Sequence, residues 1–165
     1  MTFRIAVVQP ICHAPPGDAA NIGDAERVIA RAAGEGAQFV CFPETYPGPW
    51  RMPATFDPTT AMVEAAAKHR THVVFGTIAP IDAKSATAYN LICMACPDGR
   101  APARYHRTHP NGPWIYTGGP AWEFQWCQAT NSRCSTPCTA KWDSRCAARS
   151  TCPRWRARSR YAAPS

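Results

Sequence analysis

The last 39 residues of this 165-residue chain, Cys127 to Ser165, contain no Val, Ile, Leu, Met or Phe. A segment with no aliphatic side chain larger than Ala buries too little apolar surface to offset its chain entropy. The same stretch holds 8 Lys+Arg against one acid, Asp143, and 5 of the 9 cysteines. Residues 1–126 balance 10 Lys+Arg with 10 Asp+Glu, so the whole net charge of +7 sits in the tail. Two unlike pieces follow: a neutral, foldable region over 1–126 and an irregular basic tail over 127–165.

The first piece is long enough for one domain with a core. Phe3 to Gln9 carries the apolar run Ile5-Ala6-Val7-Val8, a short strand of the kind buried on both sheet faces. Ile22, Ala25, Val28, Ile29 and Ala32 recur at helical spacing. They predict an amphipathic helix near 18–34, with Asp18 or Asn21 available as cap and Gly34 and Gly36 as its end. Phe39-Val40-Cys41-Phe42 is a second strand, stopped by Pro43. A Pro-rich loop over 47–59 precedes a helix near 59–70. Strands are expected over 73–78, 89–95 and 100–106, the last two joined by a Pro97-Asp98-Gly99 turn. Strands alternating with helices predict an α/β layered domain built on a mixed sheet. The N-terminal apolar run is too short for a secretory signal, and no stretch approaches the roughly 20 apolar residues that span a bilayer. The expectation is a soluble, cytoplasmic protein without membrane contact, its cysteines free thiols rather than a disulfide framework.

Glu44 sits just past the carboxyl end of the second strand, where open α/β sheets bind ligands. Phe42, Pro43 and Tyr46 are apolar or aromatic neighbours, the surroundings of a usable general base. The alternative is a loop glutamate paired with an arginine.

Several stretches, in order, resemble the nitrilase (carbon–nitrogen hydrolase) superfamily. They are Ile5-Ala6-Val7-Val8-Gln9-Pro10, Asn21, Gly36-Ala37-Gln38-Phe39-Val40-Cys41-Phe42-Pro43-Glu44, Val73-Val74-Phe75-Gly76, Tyr89-Asn90, Pro97-Asp98-Gly99 and Tyr105-His106-Arg107-Thr108-His109-Pro110. Each alone is weak; their order and spacing are specific, and they cover residues 3–126. The resemblance implies an α-β-β-α sandwich, of which this chain carries an incomplete part, often assembled as a homo-oligomer. It also implies cofactor-free, metal-free hydrolysis of a non-peptide C–N bond in a small nitrile or amide by a Glu, a Lys and a Cys. A thiolate attacks the nitrile or amide carbon, and water later hydrolyses the covalent intermediate. The glutamate takes the thiol proton and then activates the water. The lysine stabilises the charge that develops.

By the resemblance Glu44 takes the glutamate role. Arg107 stands where a lysine is expected; it keeps the positive charge but is forked, bulkier and never deprotonated, so weakened activity is expected. Glu123 matches a second acid of the family or is an ordinary surface acid. The family's nucleophile lies in a Cys-x-Glu setting, and none of the nine cysteines here is followed by x-Glu. The substrate-binding residues are not legible.

Three readings of the tail compete. Arg154, Arg156, Arg158 and Arg160 alternate with Trp155 and Tyr161 in a pattern that could bind nucleic acid, which would make the chain an interaction protein. A metal site is weak, because the tail has no Cys-x2-Cys pair and no nearby histidine. The third reading is a shifted reading frame. Read from the last base of each codon, the tail permits an apolar strand ending in Cys-Ser-Glu and then an amphipathic helix. On that reading the chain is a truncated hydrolase without turnover, or a non-functional fragment, and nucleic acid is not its partner. The nucleotide sequence tests it: codons 146–149 in that frame have to give Cys-x-Glu.

Overall fold

The computed structural model describes residues 3–81, 87–108 and 125–126. Their order is β1 (Ile5–Val7), α1 (Ala20–Gly34), β2 (Phe39–Cys41), α2 (Thr59–His69), β3 (His72–Pro80), β4 (Thr87–Ala95), β5 (Ala103–His106) and β6 (Gln125–Trp126). The sheet runs β1-β2-β3-β4-β5, and β6 pairs with β4. β1, β2 and β3 are parallel neighbours, with Ile5, Phe39 and His72 in one row. From β3 the chain turns antiparallel: Val73 to Pro80 pairs with Ala88 to Ala95, and Leu91 to Met94 pairs with Ala103 to His106. The α/β class and mixed sheet expected from the sequence are what the chain forms. The basic tail, the pair His109-Pro110 and Glu123 lie outside the described residues.

Two consecutive right-handed crossovers stepping the same way put both helices on one face of the sheet. α1 contributes Ala25, Ile29 and Ala32, and α2 contributes Met62, Ala65 and Ala66. Val40, Val73, Phe75, Leu91, Cys93 and Ala95 meet them from the strands. The alanines matter because small side chains let two helices and a sheet approach closely around Ile29, Met62 and Phe75, all fully buried.

The opposite face is covered unevenly: Ile78 and Ala88 are buried against Met52 and Ala54, while β1 and Ile92 stand exposed. Val7 is 86% exposed, Ile5 57% and Ile92 44%. This corrects the expectation that the first strand is covered on both sides. An apolar run states that a strand avoids water, but the cover has to come from another layer. Here Phe39 stacks on His72 at 4.6 Å and Phe3 meets Phe39 edge-on, so the face is partly shielded by its own aromatic rings.

The helix-cap expectation is also corrected. Ala19 occupies the cap of α1, without a side-chain hydrogen bond. Asn21 is instead fully buried and ties two loops together. Its Oδ1 accepts the His13 N–H at 2.8 Å, and its Nδ2 donates to the carbonyls of His13 (3.1 Å) and Pro47 (3.3 Å). Asp18 is 1% exposed, and neither carboxylate oxygen has a hydrogen-bond partner among the described residues. α2 closes with Arg70 in the left-handed region (φ 51°), a place more often taken by Gly. Of the described cysteines, Cys12, Cys41 and Cys93 carry no disulfide, whereas Cys96 is disulfide-bonded, against the expectation of free thiols throughout. No helix among the described residues is long and apolar enough to cross a membrane.

Candidate active site

The topology brings three separated pieces of chain to one end of the sheet. β2 and β3 are parallel, so Glu44 emerges at their carboxyl ends. β4 runs the other way, which places its early residue Asn90 at that same end. β5 reverses again, so Arg107, one residue past its last member, arrives there too. Side chains alternate along a strand, so Gly76, Asn90, Ile92 and Tyr105, in register, share the face without helices.

The turn carrying Glu44 is shaped by two backbone features. Thr45 adopts φ 56°, a left-handed conformation unusual for a residue other than Gly. Gly76 of β3 lies directly beneath: a Cβ there would come within 2.1 Å of the Thr45 nitrogen and 2.9 Å of the Glu44 carbonyl carbon. Its N–H donates to the Tyr46 carbonyl at 2.9 Å. A glycine inside a strand signals this kind of close backbone approach. Trp50 Nε1 donates to the Thr45 carbonyl at 2.5 Å, and Thr77 Oγ1 donates to the Gly48 carbonyl at 2.9 Å. Tyr46, 1% exposed, stacks on Phe42 at 5.2 Å and donates its hydroxyl to the Asn21 carbonyl at 3.2 Å. Burial, with smaller contributions from the charges of Asp24 and Cys12, pushes its phenol up to about 12.

Glu44 Oε1 accepts two hydrogen bonds, from Asn90 Nδ2 and from Arg107 Nη1, each at 2.5 Å. The Arg107 main-chain N–H donates to the Asn90 carbonyl at 2.9 Å, which fixes the start of the arginine's segment. These groups border a cavity of about 350 Å³ whose apolar wall includes Phe42, Val74, Ile92 and Tyr105. Such a volume suits a small molecule. Among the described residues no three His, Cys, Asp or Glu side chains converge in a way that could hold a metal ion.

Both site residues named from the sequence are therefore brought together, 63 positions apart in the chain. The surroundings of Glu44 differ from the expectation. Its side chain is 45% exposed and faces a guanidinium and an amide rather than an apolar enclosure. The alternative reading, a glutamate paired with an arginine, describes the contact; the arginine in question is the other site residue. Sequence reasoning passed over the work of Asn90 and Gly76. A buried amide in an otherwise apolar strand and a glycine in a strand interior were the available signals.

The profile of the Carbon-nitrogen hydrolase family matches residues 4–153, a span that crosses the compositional boundary at Trp126. The chain is 30% identical over 117 residues to an omega-amidase, NIT2, of Danio rerio, covering 65% of this chain and 40% of that protein. Among solved structures, an amidase from Nesterenkonia sp. matches with a TM-score of 0.58 at 15% identity, over 78% of this chain and 49% of that one. A variant of the Nesterenkonia sp. AN1 amidase in complex with butyramide matches with a TM-score of 0.61 at 17% identity, with the same coverage. At such identities these structures speak for the fold, and the chain spans about half the length of the relatives it matches. The profile spans most of the chain, and the same arrangement of strands and helices recurs in the amidases: this chain belongs to the carbon–nitrogen hydrolase family.

Proposed function

We propose that Glu44 and Arg107 are the base and the cation of a site for small amides or nitriles, and that this chain binds such molecules without hydrolysing them. The observation that carries the reading is the Arg107–Glu44 contact at 2.5 Å, at the carboxyl ends of the parallel strands and on the rim of a small apolar-walled cavity. In a complete site the carboxylate takes the proton of an attacking thiol and later activates water. The guanidinium faces the oxygen or nitrogen on which negative charge builds. The amidases among the relatives favour an amide over a nitrile. An amide also offers what this pair wants, an N–H for the carboxylate and a carbonyl for the guanidinium.

Turnover requires a nucleophile, and no cysteine of the chain stands in a Cys-x-Glu setting. Of the free thiols among the described residues, Cys41 and Cys12 are held in the thiol form by burial, which raises their pKa values and opposes nucleophilic attack. The tail over 127–165, on this reading, is the out-of-frame remainder. The test is a titration of butyramide followed by backbone amide NMR. Shifts at Glu44, Asn90 and Arg107 that vanish in Glu44→Ala support the reading; no shift at saturating millimolar butyramide defeats it.

A further inference from the structure

Asn90 is 1% exposed in the middle of an apolar strand, where a polar side chain is tolerated only if its hydrogen bonds are met. Its two polar ends serve the two halves of the site. The side-chain Nδ2 donates to Glu44 Oε1 at 2.5 Å, and the main-chain carbonyl accepts the Arg107 N–H at 2.9 Å. Arg107 Nη1 also ends on Oε1. Among the described residues nothing donates to Glu44 Oε2.

We infer that Asn90 is a positioning residue: it locks Glu44 by Oε1 so that Oε2 is the oxygen turned toward a bound amide. A carboxylate has two equivalent oxygens and a side chain with three rotatable bonds. Left alone, and 45% exposed, it would sample orientations in which neither oxygen faces the cavity. Asn90 can fix it, because its backbone is held in β4 between β3 and β5 and its amide is buried. Pre-orienting the acceptor in this way removes an ordering cost from binding. The proposal rests on Glu44 being the group that meets the substrate, and it assigns Asn90 a role exerted through Glu44 rather than on the amide.

Two measurements on the full chain test it. The first is the Asn90 side-chain NH2 signal in a 15N-correlated spectrum, identified by its loss in Asn90→Asp. It should be shifted and protected from solvent exchange in the parent. In Glu44→Ala, a change at a half-exposed side chain that leaves the buried core intact, it should lose that protection while the Asn90 backbone signal stays. An unchanged side-chain signal overturns the proposal whatever the chain binds. The second is butyramide affinity. Asn90→Ala should weaken it about tenfold, the worth of one hydrogen bond to a charged group, and Asn90→Ser, which retains a donor, should recover part of the loss. Equal affinity in the parent and a folded Asn90→Ala variant overturns the proposal. A parent that binds no butyramide defeats the proposed function instead, and the spectroscopic arm still decides the Asn90 contact.

Discussion

The two faces of the sheet are built from similar residues and lead different lives. Val40, Val73 and Phe75 on the helix side are fully buried, while Ile5, Val7 and Ile92 on the other side are 44–86% exposed. The helix side is where α1 and α2 add apolar contact, and it holds the layer together. The other side carries the candidate site at the carboxyl end of the parallel strands. Changes in the core under the helices should be read in folding, and changes at exposed positions such as Ile5 and Val7 should leave folding nearly unchanged.

The largest expected effect is on the covered face. Ile29→Ala empties a fully buried position between α1 and the sheet and should cost about 2–5 kcal/mol in urea unfolding. Val7→Thr, at an 86% exposed position, should cost less than about 0.5 kcal/mol. Equal losses at the two positions would erase the distinction between the faces. Gly76→Ala comes next, because it drives a methyl into the Thr45 backbone. Overpacking of this kind costs about 1–3 kcal/mol, and the displaced Glu44 should lose butyramide shifts as well. A variant with normal stability and normal binding would show that the turn does not rest on Gly76.

The ion pair itself should contribute little to folding. With Arg107 26% and Glu44 45% exposed, a double-mutant cycle with Glu44→Ala and Arg107→Ala should return at most about 1 kcal/mol of coupling. A coupling of several kcal/mol would make the pair structural rather than functional. A separate effect is expected at high pH. Burial raises the Tyr46 phenol to about 12, so the unfolded chain releases that proton first. The contribution of the buried neutral phenol is fully present below about pH 10, the unfolded value, and is lost as pH climbs toward 12. Urea midpoints should fall over that window in the parent and fall less in Tyr46→Phe; parallel curves would contradict the burial of the hydroxyl.

The elements were legible because their signals are local. The helical spacing of Ile22, Ala25, Val28, Ile29 and Ala32 marks α1 to within a few residues. Pro43 after an apolar run places Glu44 at a strand end, and Glu44 is there. What failed was non-local. Whether Ile5 and Val7 are covered depends on a layer that the run itself does not encode. Asp18 and Asn21 are both good capping types, yet Asn21 is taken by His13 and Pro47, loops whose approach the sequence does not announce. The same holds for the site. The contact between Glu44 and Asn90 spans 46 positions and depends on the register that sets Ile78 against Asn90 in the β3–β4 pair. A hydrophobic pattern fixes which face a residue takes, but a register is fixed by the whole hairpin.

Binding without turnover is the central claim, and ammonia release tests it most directly. The purified chain, incubated with butyramide at a concentration that saturates the NMR shifts at Glu44, Asn90 and Arg107, should release no ammonia above the protein-free blank. Steady ammonia release that scales with enzyme and disappears in Glu44→Ala would contradict the account, by showing that a nucleophile reaches this site after all.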